Sequence, residues 1–456
     1  MNPSILKQVR VLSMLGALLL PALGGAASAQ VTSRLEQTAA KFFKDAGPGG
    51  VVLVTHGDEV LLRQSYGLAD LENQVPMRPD AVFPLASVTK QFTSMAVLKL
   101  VQAGKLGLDQ PIGELNATLP KAIAAVSVRQ LLTHTSGIKN ISSIEASRAA
   151  RRNEADANSL IGYFAELPLE FPSGSQFRYS NSNYIVLTRL IEVLSGQSYA
   201  DYLTKVLFEP LGMTHTRYGS HLALIPGRVH GYQQDDSGAW LNAEFISMSQ
   251  PQGAGGLVSS VDDLARWDAA LNRGEIVDPI LLAQAFRPVT LSDSSTQPYG
   301  FGWVISEVQG APSVEHGGFI NGFNSQILRL PQQQIMVTVL TNAESLYPAD
   351  LSVKLAAIAL GQPYDKTPAA DSNPKAWLGR YQFAGDVQRD VLLIDGRLHS
   401  QFVGSDAIPL FHAADGRFYL GEGLDYVQFA KDADGRPTMT LHQRYFGDSV
   451  GVRSTR

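Results

Sequence analysis

From Val31 the stretch VTSRLEQTAAKFFKDAG spaces its apolar residues as a helix does and predicts one ending near Gly47. The next stretch, GGVVLVTHGDEVLLRQSYG, is two apolar runs about the turn-forming pair Gly57-Asp58 and predicts a β-hairpin. Helical patterning then dominates to about residue 215, and strand patterns return in FGWVISEVQ, INGFNSQILRL and QQIMVTVLTN. Strands at both ends of a region with helices between them predict one sheet assembled from distant segments, with a helical insert beside it.

Residues 362–375, QPYDKTPAADSNPK, hold three prolines and few apolar side chains, and read as a linker. Beyond it the pairs Asp395-Gly396, Asp415-Gly416 and Asp434-Gly435 each lie between apolar-rich runs such as VLLI and FYL. Asp-Gly between such runs is a hairpin signal, so residues 376–456 are expected to form a small antiparallel β domain, barrel-like. A chain of 456 residues exceeds one ordinary domain, which agrees with a main unit over 30–361 and this appendage.

The first 29 residues differ from the rest: Lys7 and Arg10 precede the apolar run VLSMLGALLLPALGG and the small-residue site Ala27-Ser28-Ala29. That order predicts a secretory signal peptide over 1–29 and a periplasmic or extracellular protein. A membrane anchor is the alternative, but the run holds Pro21 and is shorter than the roughly 20 apolar residues that span a bilayer, so no stable membrane insertion is expected once the leader is removed. The chain has no cysteine, which excludes disulfides and thiol catalysis. A net charge of −5 without a basic run gives no footprint for nucleic acid. The expected partner is a small-molecule or peptide substrate.

The stretch PLASVTKQF at residues 84–92 sets a serine ahead of a helix and a lysine three residues on. Ser87 can be read as a helix cap that accepts from an orphan backbone N–H, or as a nucleophile. Against capping, a capping box wants Glu or Gln where Lys90 stands. Ser-x-x-Lys occurs at Ser4, Ser87, Ser136 and Ser372. Ser4 leaves with the leader, Ser136 lies in the Gly-containing loop THTSGIK, and Ser372 is followed by Pro374. Ser87 opens an amphipathic run, SVTKQFTSMAVLKLVQAG, with Phe92, Met95, Ala96 and Val97 as its apolar flank and Gly104 as its stop. Positions i and i+3 on that helix bring the hydroxyl and the amine to one face. A rival, GDSVG at 447–451, fits the Gly-x-Ser-x-Gly nucleophile elbow, but only five residues follow it and none is acidic or His.

A Ser-Lys pair needs a way to move protons. Lysine must be neutral to act as a base, or stay charged and lower the proton affinity of a neighbour, for which a tyrosine near cations is suited. Tyr179-Ser180-Asn181, in FPSGSQFRYSNSNYIVL, is such a candidate, placed in a loop just before a helix through Tyr184, Leu187 and Ile191. A loop tyrosine can also be plain packing with a wet hydroxyl.

Ser87-Val88-Thr89-Lys90, then Tyr179-Ser180-Asn181, then His316-Gly317-Gly318 before the last strands resembles the three-motif site of the penicillin-recognising serine hydrolases. The order is similar to class C β-lactamases, serine D-alanyl-D-alanine peptidases, D-amino-acid amidases and related esterases, and LLTHTSG, FEPLGMTHT and GAGGLVSSVDDLARW resemble recurrent segments of that family. The resemblance covers about residues 35–361 and leaves the C-terminal β domain uncovered. It implies an α+β fold, an antiparallel sheet flanked by helices with a helical subdomain. It also implies Ser87, Lys90 and Tyr179 as catalytic residues and Asn181, His316, Gly317, Gly318 and Phe319 as substrate-binding ones, the amides of Ser87 and Phe319 holding an oxyanion. Class C enzymes carry Lys-Thr-Gly at the third motif, whereas this chain has His316-Gly317-Gly318, and a histidine is charged only in part near neutral pH. That departure favours a peptidase or esterase over efficient β-lactam hydrolysis. The two glycines are expected to let substrate backbone lie against the strand. His316 can alternatively be an ordinary half-exposed histidine at a strand end. The expected function is acyl transfer through Ser87 on an amide or ester, the alternatives being a class C β-lactamase or a penicillin-binding receptor without turnover. The nine histidines include no HExxH or HxH pair, so no catalytic metal or cofactor is expected.

Overall fold

The computed structural model describes residues 20–43, 47–364, 369, 373–421, 423–444 and 447–454. Most of the expected leader, residues 1–19, lies outside these, as do residues 365–368 and 370–372 of the expected linker.

Helix α1 (Leu20–Phe42) stops short of the expected end near Gly47, and residues 44–46 lie outside the described set. The hairpin about Gly57-Asp58 is β1 (Gly50–His56) and β2 (Glu59–Tyr66). Helices α2 (Thr89–Gln102), α3 (Asn181–Ser195) and α4 (Val261–Asn272) fall in the middle of the chain. Strands then return as β3 (Val304–Val308), β4 (Ala311–Ile320), β5 (Phe323–Leu330) and β6 (Ile335–Thr341), before α5 (Ala349–Ala359). The six strands form one antiparallel sheet in the order β3-β4-β5-β6-β1-β2, so the first hairpin is sealed to the last strand.

The alternation of side chains along a strand sends β1 into two cores. Val52 and Val54 join Leu35, Ala39, Leu351 and Leu355 of α1 and α5 on one face. Val51 and Leu53 join Phe92 and Trp267 of α2 and α4 on the other. A sheet covered on both faces accounts for the near-continuous apolar runs in its strands. Arg329 of β5, itself buried, pairs with Asp268 of α4 and donates to Asn272 Oδ1 at 2.6 Å, which ties that helix to the sheet.

The amphipathic reading of α2 is corrected: Thr89, Lys90, Gln91, Thr93 and Ser94 are as buried as its apolar flank, because the helix runs through the middle of the domain. Several of its polar groups are matched from outside. Thr93 Oγ1, for instance, lies 2.7 Å from both Gly253 O and Tyr199 Oη.

The C-terminal unit is a closed barrel: β7 (Gly379–Gln382), β8 (Gln388–Ile394), β9 (Arg397–Phe402), β10 (Ala407–His412), β11 (Phe418–Leu420), β12 (Tyr426–Lys431), β13 (Pro437–Gln443) and β14 (Gly447–Arg453). Each Asp-Gly pair marks a hairpin between successive strands, and Asp395-Gly396 has φ of 50° and 77°, the doubly positive turn that matches strand twist. Pairing of Tyr381 with Arg453 closes the barrel about a core that includes Tyr381, Val427 and Met439. The fold is therefore α+β with an appended all-β barrel. GDSVG lies inside β14, an extended strand rather than a strand-to-helix turn, and Ser449 is exposed there.

Candidate active site

Ser87 sits in a 3-10 turn, Ala86–Val88, that runs directly into α2. Ala86 has φ of 48°, a left-handed backbone that costs a residue with a Cβ on the order of 1 kcal/mol or more and that points the next residue out of the helix line. Neither the turn nor α2 has a side-chain cap, which removes the capping reading: Ser87 Oγ instead lies 3.0 Å from Lys90 Nζ.

Lys90 Nζ also donates to Asn181 Oδ1 at 2.9 Å and to Ala254 O at 2.8 Å. Its side chain is fully buried, and that desolvation pushes its pKa well below the usual lysine value. Both carbonyl oxygens can only accept. An ammonium would fill all three contacts as donor; once burial discharges the amine, two hydrogens remain for the carbonyls and the lone pair faces the Ser87 hydroxyl, which can then donate.

Tyr179 stands in the loop before α3, its ring 4.7 Å from Lys90 Nζ. Its hydroxyl is buried and makes no hydrogen bond of ordinary geometry, yet it lies close enough to Ser87 for the serine to offset part of the shift that burial imposes. Burial dominates and raises the Tyr179 pKa, so the side chain is a phenol across neutral pH. Of the two roles the sequence left open, burial favours the neutral lysine base over a charged lysine that lowers the proton affinity of the tyrosine.

His316 is corrected in the same way. It is 5% exposed, inside β4 rather than at a wet strand end. Its Nδ1 lies 2.6 Å from Gly317 O, an acceptor, so Nδ1 carries the hydrogen and Nε2 accepts from Tyr299 Oη at 2.9 Å. Burial is the main cause that lowers its pKa to about 3. The ring is neutral near pH 7 and gives no cation for a substrate carboxylate.

The glycines also serve another purpose than expected. A Cβ at Gly318 would overlap Leu85 O and Ser325 Oγ and stand 3.0 Å from Ser87 N, and one at Gly317 would stand 2.7 Å from Gln326 Oε1. The room that a side chain at either glycine would need is thus taken by the protein's own atoms. Gly318 lets the turn carrying Ser87 dock on the strand, where Ser325 Oγ donates to Leu85 O at 2.7 Å. That docking brings the Ser87 amide beside Gly318, the residue before Phe319, which is 57% exposed. Asn181 is committed too: its Oδ1 holds Lys90 while its Nδ2 donates to Ser142 Oγ at 3.1 Å.

Ser87 and Phe319 stand between two cavities of 320 Å³ and 540 Å³, sized for a small ligand or the end of a peptide. The larger is walled by neutral groups that include Tyr179, Tyr299, His316 and Gln326. Among the described residues, the fixed charges on the walls are Arg148 and Arg151, both in the smaller cavity, and Arg151 is paired with Glu244.

Sequence reasoning missed His134, which is fully buried with φ of 59°. Its Nδ1 accepts from Ser180 N at 3.2 Å and lies 3.3 Å from Asn183 Nδ2, and its ring packs 4.2 Å from that of Tyr179, so it fixes both the loop and the phenol. The segment LLTHTSG was the available signal. Ser136 of the same loop is structural: it is buried and donates to Asn183 Oδ1 at 2.7 Å. Tyr299 and Gln326 carried no local signal.

Residues 33–361 match the family described as Beta-lactamase. The chain is 28% identical over 423 residues to Penicillin-binding protein 4* of Bacillus subtilis, covering 86% of this chain and 92% of that protein. It is 27% identical over 368 residues to the D-aminopeptidase of Gluconobacter oxydans, covering 78% of this chain and 66% of that protein. Its fold is shared by an octameric penicillin-binding protein homologue from Pyrococcus abyssi, with a TM-score of 0.64, 24% identity and coverage of 92% of this chain and 99% of that one. It is also shared by the D-amino acid amidase of Ochrobactrum anthropi SV3, with a TM-score of 0.62, 24% identity and coverage of 72% and 99%. The chain belongs to the Beta-lactamase family and is a serine hydrolase of that family.

Proposed function

We propose that this protein hydrolyses amide or ester bonds of D-amino-acid peptides or related small substrates through an acyl-enzyme on Ser87. The observation that carries the reading is Lys90 Nζ held 3.0 Å from Ser87 Oγ on a fully buried side chain, where desolvation favours the uncharged amine that can take the hydroxyl proton. As Ser87 Oγ attacks the carbonyl carbon, its proton passes to Lys90 Nζ and the carbonyl electrons move onto oxygen. The amides of Ser87 and Phe319 receive that oxyanion, one such donor being worth on the order of 3 kcal/mol. Tyr179, held as a phenol, gives its proton to the departing nitrogen or oxygen and is recharged from Lys90. A water then attacks the ester carbon, its proton returning along the same pair, and Ser87 is released.

Asn181 orients Lys90 in this scheme, and His316, Gly317 and Gly318 shape the wall on which the substrate lies. The D-aminopeptidase and penicillin-binding protein among the relatives support a D-amino-acid or peptidoglycan-like substrate. The neutral wall of β4 weighs against a β-lactamase that relies on a cation there. The leader pattern supports export to the periplasm.

The test is a set of initial rates on a D-amino-acid amide, a D-Ala-D-Ala peptide, a nitrophenyl ester and nitrocefin, with Ser87→Ala alongside. Turnover of the amide or peptide lost in the variant supports the reading. Turnover confined to nitrocefin would establish a β-lactamase instead, and stable acylation by penicillin without turnover a receptor.

A further inference from the structure

One side chain of the barrel unit bonds directly to the strands of the catalytic sheet, beside the packing of Leu424 on the core at α5. Arg444 directly follows β13, and it donates to Glu315 Oε1 from Nε at 3.0 Å and from Nη2 at 2.8 Å. It also donates to Ser313 Oγ at 3.2 Å and to the backbone oxygen of Glu307. Glu315 is fully buried and lies in β4, immediately before His316. Its other oxygen, Oε2, accepts from Gln326 Nε2 at 3.0 Å. That bond fixes the Gln326 amide, because an ionised carboxylate can only accept and so must face the NH₂ group. Gln326 Oε1 is thereby turned toward Gly317, which it faces across the β4–β5 ladder, at the wall of the larger cavity.

We infer that Arg444 is a positioning residue for the active site: the appended barrel supplies the cation that holds Glu315 and Gln326, and through them the segment of β4 that carries His316, Gly317 and Phe319. A buried carboxylate deprived of its partner must rearrange or neutralise, and either releases Gln326. Strand alternation transmits the change, since Ser313, Glu315, Gly317 and Phe319 share one face of β4. A displacement there moves the Phe319 amide relative to Ser87 without removing any group that reacts. The barrel is then part of the hydrolase rather than a passenger.

The inference rests on the proposed function, and the full-length chain tests both. Wild type, Arg444→Met, Arg444→Lys and the double variant Arg444→Met/Glu315→Gln are compared by kcat and KM on whichever substrate wild type turns over, by Ser87 labelling rate with a fluorophosphonate, and by Tm. Arg444→Met is expected to lower kcat and the labelling rate by about tenfold or more, with KM changed less than about twofold. Arg444→Lys should recover part of the loss. The double variant should regain the Tm of wild type, because no buried charge is left alone, while kcat stays low because Gln326 is no longer oriented. Wild-type kcat in a soluble Arg444→Met protein, or a double variant in which Tm and kcat recover together, overturns the positioning role. Should Arg444→Met prove insoluble, the Arg444→Lys and double variants decide the question. An inert wild type refutes the nucleophile reading instead, a result distinct from wild-type turnover that the Arg444 variants leave unchanged.

Discussion

Lys90 Nζ lies 3.0 Å from Ser87 Oγ, and its two other partners, Asn181 Oδ1 and Ala254 O, are oxygens without hydrogens. Burial favours the uncharged amine, whose lone pair can take the hydroxyl proton. Arginine, always charged, cannot take that role. Lys90→Arg and Lys90→Met are both expected to lower kcat/KM by about 10²- to 10⁴-fold. Recovery by arginine alone would mean that a fixed cation suffices and the neutral amine is wrong.

Ser87→Ala should abolish turnover and the acyl-enzyme mass while changing stability by no more than about 1 kcal/mol, the worth of one ordinary hydrogen bond. The reason is that Ser87 caps no backbone N–H. Rates and thermal melts on the same preparation check it, and residual turnover above the background of the buffer removes Ser87 from its role.

Gly318→Ala puts a Cβ into Leu85 O and Ser325 Oγ and close to the Ser87 amide. The turn must move off β4, so stability is expected to fall by about 1–3 kcal/mol, the usual cost of overpacking. Activity should fall further than Gly317→Ala, whose Cβ meets the end of a Gln326 side chain that can shift. Paired kinetics and urea melts measure both, and equal losses at the two positions contradict the docking argument.

His316 has its pKa lowered to about 3 in the fold, against about 6.5 in the unfolded chain. The unfolded state therefore binds more protons between those values. The stability this group contributes is complete above about pH 6.5 and is lost as pH falls toward 3, at up to about 1.4 kcal/mol per pH unit. His316→Gln should flatten part of the acid slope in urea midpoints taken at about pH 7, 5 and 4, His134 retaining its own share. Above about pH 5 the kcat/KM profile of the variant should keep the shape of wild type, since no charge on the ring is lost. A limb near neutrality present in wild type and missing in the variant would show that His316 titrates there after all.

Arg148 stands exposed on the wall of the smaller cavity, across from the neutral surface of β4. Arg148→Ala is expected to raise KM for carboxylate-bearing substrates by about two- to fivefold, the size of an exposed charge contact, and to leave neutral esters unchanged. Equal effects on both substrate types would assign Arg148 to packing.

The sequence by itself determined what is local. The period of apolar residues placed the first hairpin and the last strands, the Asp-Gly pairs placed the barrel turns, and the three-residue interval put Ser87 and Lys90 on one face. The ordered motifs led to the family because their spacing is a property of the chain alone. Charge and space were decided only by tertiary structure, since both depend on what distant segments do. Along the chain the charge of Lys90 stays open and His316 reads as charged only in part, but burial beneath segments from other parts of the molecule removes the water that would support either charge. Gly318 read as room for a substrate, and the turn at Leu85, more than two hundred residues earlier in the chain, fills that room. Arg444 carries no sequence signal of its own, and it meets Glu315 across a separation of 129 residues. Periodicity records which face of an element is buried; it does not record which element buries it, and desolvation, close approach and ion pairing all follow from that second fact.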